Sequence, residues 1–258
     1  MVTLAVGDSH GHHDRIEALL TQEGLLDGDT RLRPEVTLVH LGDVGHYGHG
    51  GSPTGDALTL DAVRRWFDVV LWGNHDRAVL ESAHIFGGFQ HPSREVVALL
   101  RGMRDDGKLR LAYAAHGFLL THAGLHADFA DQDIPAQLKA DVVEFVEWLC
   151  DNDAKDRAVQ DSRGGPEAEW PPQDFFAIRD AIGHNRGGWS KSGGVLWRDA
   201  SEPLYTGFRQ VFGHTSGPVV RTYPSVLGDS YCIDVGDKDN GRLAGLWLPS
   251  ETIVGVQL

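Results

Sequence analysis

The chain is poor in sulfur. Two cysteines, Cys150 and Cys232, and two methionines occur in 258 residues. One possible bridge in this length is not a secreted disulfide framework, so both thiols are expected to be free and buried. The sequence also lacks an apolar run of membrane-spanning length. Its first residues enter an apolar stretch with no basic leader before it. A soluble cytoplasmic protein without a membrane partner is the expectation. Positive charge is scarce too: 23 Lys and Arg face 37 Asp and Glu, a net charge of −14. An acidic surface repels a phosphate backbone, which argues against general nucleic-acid binding. It leaves small phosphorylated ligands open, because bound metal ions reverse the local field. There is no internal repeat and no low-complexity tract.

What is present reads as one globular unit. Val2–Val6, Val36–Leu41 and Val69–Trp72 are buried-strand patterns. Between them, helical spacing occupies Asp14–Leu20 and Leu58–Phe67. Strand, helix, strand, helix, strand argues for an α/β sheet. Ser93 is expected to cap a helix running to Met103. Leu109–Ala114 and Phe118–Thr121 read as a strand pair. The pattern from Ile134 to Ala158 is helical, with Leu138, Val142, Phe145, Val146 and Leu149 on one face. Asp161–Pro172 reads as a loop, Asp174–Ile182 as a short helix and Gly183–Gly194 as a glycine-rich loop. Val211–Phe212, Val219–Tyr223, Tyr231–Val235, Leu243–Leu248 and Thr252–Val256 are strand-like and predict a mainly antiparallel sheet. The expected architecture is a single domain over 1–258 with a helical insertion around 130–190.

The strand ends share a feature. Asp8 and His10, Asp43, Asn74 and His75, His122, and His214 all follow short apolar segments, and all lie within two residues of a glycine. Each alone has a plain reading: a turn aspartate, a left-handed asparagine, a satisfied or capping histidine. The same placement five times over is hard to obtain from turn chemistry. In open α/β sheets the carboxyl ends of strands are where ligands bind. Carboxylate beside imidazole suits a first-row divalent metal.

The runs Gly7–Asp8–Ser9–His10–Gly11, Gly42–Asp43, Gly73–Asn74–His75–Asp76, His122–Ala123–Gly124 and Gly213–His214–Thr215 resemble, in order, the motifs of the calcineurin-like metallophosphoesterase superfamily. Leu196–Trp197, Ile233–Asp234–Val235–Gly236 and Gly241–Leu246 are similar to the phosphoprotein-phosphatase-like branch. That branch includes bacterial serine/threonine protein phosphatases and symmetrical diadenosine tetraphosphatases. Ser216, two residues after His214, fits this branch rather than phosphodiesterases with a second histidine there. The resemblance implies an α/β fold with a central two-sheet β-sandwich flanked by helices. It implies two divalent ions (manganese, iron or zinc), one held by Asp8, His10 and Asp43. Asp43 would bridge to the other, held also by Asn74, His122 and His214. A bridging hydroxide would attack phosphorus in line, with His75 as general acid toward the leaving group.

One motif departs. The branch continues the second motif as Gly-Asp-x-x-Asp-Arg-Gly, whereas this chain reads Gly42–Asp43–Val44–Gly45–His46–Tyr47–Gly48. His46 stands at the carboxylate position and Tyr47 at the phosphate-clamping arginine. Asp76 is a possible substitute for that carboxylate. Arg77, Arg186 and Arg198 are candidate replacement clamps, and His46 a candidate substrate contact beside the loop histidines His12, His13 and His49. Trp66, Trp72, Trp148 and Trp247 read as core. The expected activity is hydrolysis of phosphomonoesters, on a small phosphorylated molecule or a phosphoprotein. Alternatives are hydrolysis of a symmetrical dinucleoside polyphosphate, and a metal-binding interaction scaffold without turnover.

Overall fold

The computed structural model describes residues 1–47, 52–80, 92–131, 136–162, 194–236 and 241–258. The chain begins with β1 (Val2–Val6), α1 (His13–Gln22), a small hairpin of β2 (Leu26–Asp27) and β3 (Thr30–Arg31), and β4 (Val36–His40). It continues through α2 (Pro53–Trp66), β5 (Val69–Leu71), α3 (Asn74–Leu80), α4 (Arg94–Asp105), β6 (Leu109–Arg110), β7 (Ala112–Ala115) and β8 (Phe118–Thr121). A short 3-10 turn, α5 (Val142–Ser162), β9 (Arg209–Phe212), β10 (Arg221–Tyr223), β11 (Ser230–Cys232), β12 (Arg242–Leu248) and β13 (Thr252–Gln257) follow.

One sheet orders its strands β13-β12-β1-β4-β5-β6 and the other β10-β11-β9-β8-β7. Side chains alternate along each strand, so both faces are used. Ala5, Val39, Leu41, Val69 and Leu71 of the first sheet meet Phe118, Leu120, Val211 and Ile233 between the sheets. Leu4, Val6, Leu38 and Val70 point the other way and join the larger core cluster with Ile16, Leu19, Leu60 and Val63 of the helices. α1 lies on β12 and β13, α4 on β6, and α5 on β7 and β8. This is the expected sandwich flanked by helices. Among the described residues, no helix is long and apolar enough to cross a membrane. Cys150 and Cys232 are unbridged, as expected, but only Cys232 is fully buried; Cys150 is half-buried. Trp66 and Trp72 are buried, and Trp148 and Trp247 pack partly against the core.

Four expectations need correction. Leu109–Ala114 is not one strand: β6 runs parallel to β5 in the first sheet, then Leu111 ends the pairing and β7 turns antiparallel to β8 in the second. The C-terminal segments do not form an antiparallel sheet of their own. β9 joins β8 and β11 in parallel, whereas β12 returns to pair antiparallel with β1. Sequence alternation reports burial, not which neighbour a strand takes. α2 starts well before Leu58, because Ser52 accepts from the Gly55 amide at 3.2 Å and Pro53 occupies the first turn. Ser93 does cap α4, accepting from the Val96 amide. Asp141 accepts from the Val143 and Glu144 amides and starts α5 there rather than at Ile134. The Asp174–Ile182 helix, the Asp161–Pro172 loop from residue 163 on and the Gly183–Gly194 loop up to residue 193 lie outside the described residues.

α5 is fastened by one charged pair. Arg77, wholly buried, lies 2.8 Å from Asp153, with Trp72 under its guanidinium at 5.1 Å. Removing one partner of such a pair leaves an uncompensated buried charge. Asp153→Ala is therefore expected to lower stability by about 3–5 kcal/mol, read from the urea unfolding midpoint. Arg77→Met with Asp153→Leu, which removes both charges, is expected to recover most of that loss.

Candidate metal centre

Five strand-end segments from both sheets meet at one end of the sandwich. The loop after β1 carries Asp8 and His10, that after β4 carries Asp43, and α3 opens on Asn74. The loops after β8 and β9 carry His122 and His214. Backbone bonds stitch these segments together: His10 N to Asp43 O at 3.0 Å, Gly11 N to Val44 O at 2.8 Å and Gly213 N to His122 O at 2.7 Å. The approach is close enough to require glycine. A Cβ on Gly73 would lie 2.1 Å from the Asp43 amide nitrogen, and one on Gly213 would lie 2.0 Å from Asp8 Oδ1. His10, Asp43 and His214 all hold positive φ (47°, 47° and 70°), a region that L residues enter at a cost.

The geometry gives two overlapping groups. Ligand atoms of Asp8, His10 and Asp43 lie within 4.8 Å of one another, as do those of Asp43, His122 and His214. Asp43 belongs to both. Asn74 Oδ1 is 3.0 Å from His122 Nε2 and 3.0 Å from His214 Nδ1. Thus the structure brings together all six residues read from the sequence as metal ligands. His75 stands beside them, half-buried, its amide donating to Asp43 Oδ1 at 3.0 Å and its Nε2 3.9 Å from Asp43 Oδ2.

The residues fit a cation. His122 Nδ1 faces the Leu41 carbonyl at 2.9 Å, and a carbonyl only accepts, so Nδ1 carries the proton. Its Nε2 lone pair then points toward Asp43 Oδ2, 3.6 Å away. Asp8 Oδ1 and His10 Nδ1 are buried and make no hydrogen bond among the described residues. Burial lowers His122 and brings His10 down to about 4, so both rings are neutral and able to donate lone pairs. Burial also raises Asp8 well above the usual carboxylate range, and the neighbouring Asp234 and Asp43 charges raise it further. Burial alone would push Asp43 upward, but the four histidines around it, His122 foremost, hold it below its ordinary value. Carboxylates, neutral imidazoles and an amide oxygen, with no thiolate, suit a divalent cation with a preference for oxygen and nitrogen.

Several supports were not legible as site residues. His40 Nδ1 accepts from the Gly42 amide at 3.2 Å, which places its proton on Nε2 toward Ser9 Oγ at 3.0 Å. Ser9 in turn donates to Val44 O. Asp56, in the first turn of α2, accepts from the His46 and Tyr47 amides at 2.8 and 3.0 Å. Asp199 Oδ1 lies 4.0 Å from His214 Nε2, and Trp197 meets that ring edge-on. The only hint in the sequence was position: Asp199 follows the Leu196–Trp197 pair.

The candidate substrate contacts divide. His46 is at the site, stacked on His75 with ring centroids 5.8 Å apart and edge-on to His10 at 5.9 Å. Arg77 is turned into the core against Asp153, so its expected clamping role is corrected to a structural one. Arg198 is corrected likewise: it is wholly buried over the Phe212 ring and donates to the carbonyls of Ala123, Asp199 and Glu202. Arg186 and His49 lie outside the described residues. Asp76 does not substitute for the orienting carboxylate by bonding His75. It is wholly buried and accepts from the Val44 and Gly73 amides and the Tyr47 hydroxyl. Burial, with the Asp43 charge, pushes it up to about 7.

Comparison with known proteins agrees with this geometry. Three solved structures share the fold. One is a candidate diadenosine tetraphosphatase, at 18% identity and TM-score 0.52, with 99% of this chain and 92% of that one covered. Another is the cold-active protein-tyrosine phosphatase of a psychrophilic Shewanella species, at 14% identity and TM-score 0.56, covering 95% and 75%. The third is a protein serine/threonine phosphatase from Saccharomyces cerevisiae with similarity to human phosphatase PP5, at 12% identity and TM-score 0.51, covering 100% and 80%. No curated protein matches the sequence. The calcineurin-like phosphoesterase description matches residues 1–218, which span every strand end that carries the cluster. The chain belongs to the calcineurin-like phosphoesterase family and is a metal-dependent hydrolase of phosphate esters.

Proposed function

We propose that this chain is a phosphomonoesterase of the protein-phosphatase-like kind, working with two divalent cations that share Asp43. The observation that carries the reading is the membership of Asp43 in both ligand groups. Asp8 and His10 complete one position; Asn74, His122 and His214 complete the other. When bound, such a pair of cations supplies Lewis acidity toward phosphate oxygens and a solvent nucleophile at neutral pH. Manganese, iron and zinc all suit this donor set.

The chain's own residues divide the remaining work. Neutral imidazoles and an amide oxygen keep the negative charge of the ligand set low, which favours an anionic substrate beside the cations. Asp43 fixes the His75 amide, and His46 stacks on the His75 ring. His75 is thereby held at the rim with its imidazole partly open to solvent. There it protonates the leaving alkoxide, the general-acid role that histidine fills most often.

A second reading is hydrolysis of a symmetrical dinucleoside polyphosphate. What favours it is length: this chain spans 92% of the candidate diadenosine tetraphosphatase it resembles in fold. A panel of para-nitrophenyl phosphate, a phosphopeptide and diadenosine tetraphosphate separates the two. Cleavage of the dinucleotide alone would overturn the phosphomonoesterase reading.

Two variants test the roles. Asp43→Asn is expected to lose stoichiometric metal at both positions, measured by elemental analysis, and to lose turnover with it. Retention of both ions with full activity contradicts the shared-ligand role. His75→Ala is expected to keep its metal and to slow hydrolysis of esters with poor leaving groups by roughly 10²–10⁴-fold. Good leaving groups should be slowed much less. Equal slowing across the series would remove His75 from the proton-transfer step.

A further inference from the structure

The loop that departs from the family pattern does something specific. Tyr47 occupies the position where the resemblance puts a phosphate-clamping arginine, yet its side chain is buried. Its hydroxyl donates to Asp76 Oδ1 at 2.6 Å and accepts from the Gly45 amide at 3.1 Å. The same carboxylate accepts from the Val44 amide at 3.1 Å and the Gly73 amide at 3.1 Å. Val44 immediately follows Asp43, and Gly73 immediately precedes Asn74. One buried carboxylate therefore joins the two segments that carry these residues, and Tyr47 supplies its only side-chain donor among the described residues.

The local sequence is built for this inward turn. Tyr47 holds φ +51°, and its amide is secured by Asp56 Oδ2. A Cβ on Gly45 would lie 2.2 Å from the tyrosine ring, so glycine is needed for the ring to fold back over the loop. Burial, together with the Asp76 charge, keeps the phenol protonated and able to donate.

We infer that Tyr47 is a positioning residue which, through Asp76, sets the spacing between Asp43 and Asn74 and so the affinity for the cation they share. The inference rests on the reading of Asp43 and Asn74 as ligands. Residues that orient metal ligands from behind typically govern affinity by roughly 10–100-fold.

The test is calorimetric titration of the full chain, stripped by chelation, with Mn²⁺. The wild type is expected to bind two equivalents. Tyr47→Phe, which deletes only the hydroxyl, is expected to weaken one of the two equivalents by roughly 10–100-fold. Thermal melting of the metal-free variant reports any general loss of fold separately. Unchanged affinities in the variant, with or without a lowered melting temperature, overturn the inference and leave Tyr47 a core residue. If Tyr47→Phe does not fold, Asp76→Asn decides by the same titration, with the same expected and overturning results. A wild type that binds fewer than two equivalents overturns the two-cation reading itself, a distinct outcome.

Discussion

The structure depends on the crowding of carboxylates in a place that water does not reach. Asp8 and Asp43 are both buried at the junction of the two sheets, and Asp234 adds its charge to the field at Asp8. Left alone, such groups repel one another and resist ionisation. Histidines interleave them: His10, His122, His75 and His214 all act on Asp43. Positive charge brought among them relieves the repulsion, which is why an anionic cavity of this kind binds divalent cations. The strand-end glycines, the left-handed backbone at three ligand positions and the inter-loop amide bonds hold the carboxylates close against that repulsion.

Much of this was legible in the chain. Apolar runs marked β1, β4, β5 and β8, and each was followed within three residues by a glycine and a ligand-type residue. All six expected ligands converge, because strand ends at one edge of a sandwich are neighbours whichever way the chain connects them. Pairing was less legible. Leu109–Ala114 reads as one apolar strand, yet it is shared between two sheets, and nothing in side-chain alternation encodes such a crossing. β9 and β11 look like hairpin strands, but they lie parallel because their neighbours come from distant parts of the chain.

The arginines teach a related lesson. Arg77 and Arg198 sit next to ligand motifs, and proximity along the chain suggested a shared task. On α3, Arg77 is wholly buried and meets Asp153 on α5 instead. Arg198 turns over Phe212 and onto carbonyls. Of the expected substrate contacts among the described residues, only His46 is at the site, stacked on His75. Asp56 carried no signal in the chain and Asp76 read as a partner of His75, because each works on backbone amides, and a carboxylate that caps amides leaves no spacing signature.

The contact between the His214 amide and Asp8 joins residues 206 positions apart. A chain emerging from a ribosome from its amino end therefore exposes half of this pocket long before the other half exists. Until the β9 segment docks, the early carboxylates have no enclosing wall, and any ion they meet is held by an open, solvated fragment. The candidate ligand set is consequently complete only once the β9 segment has docked.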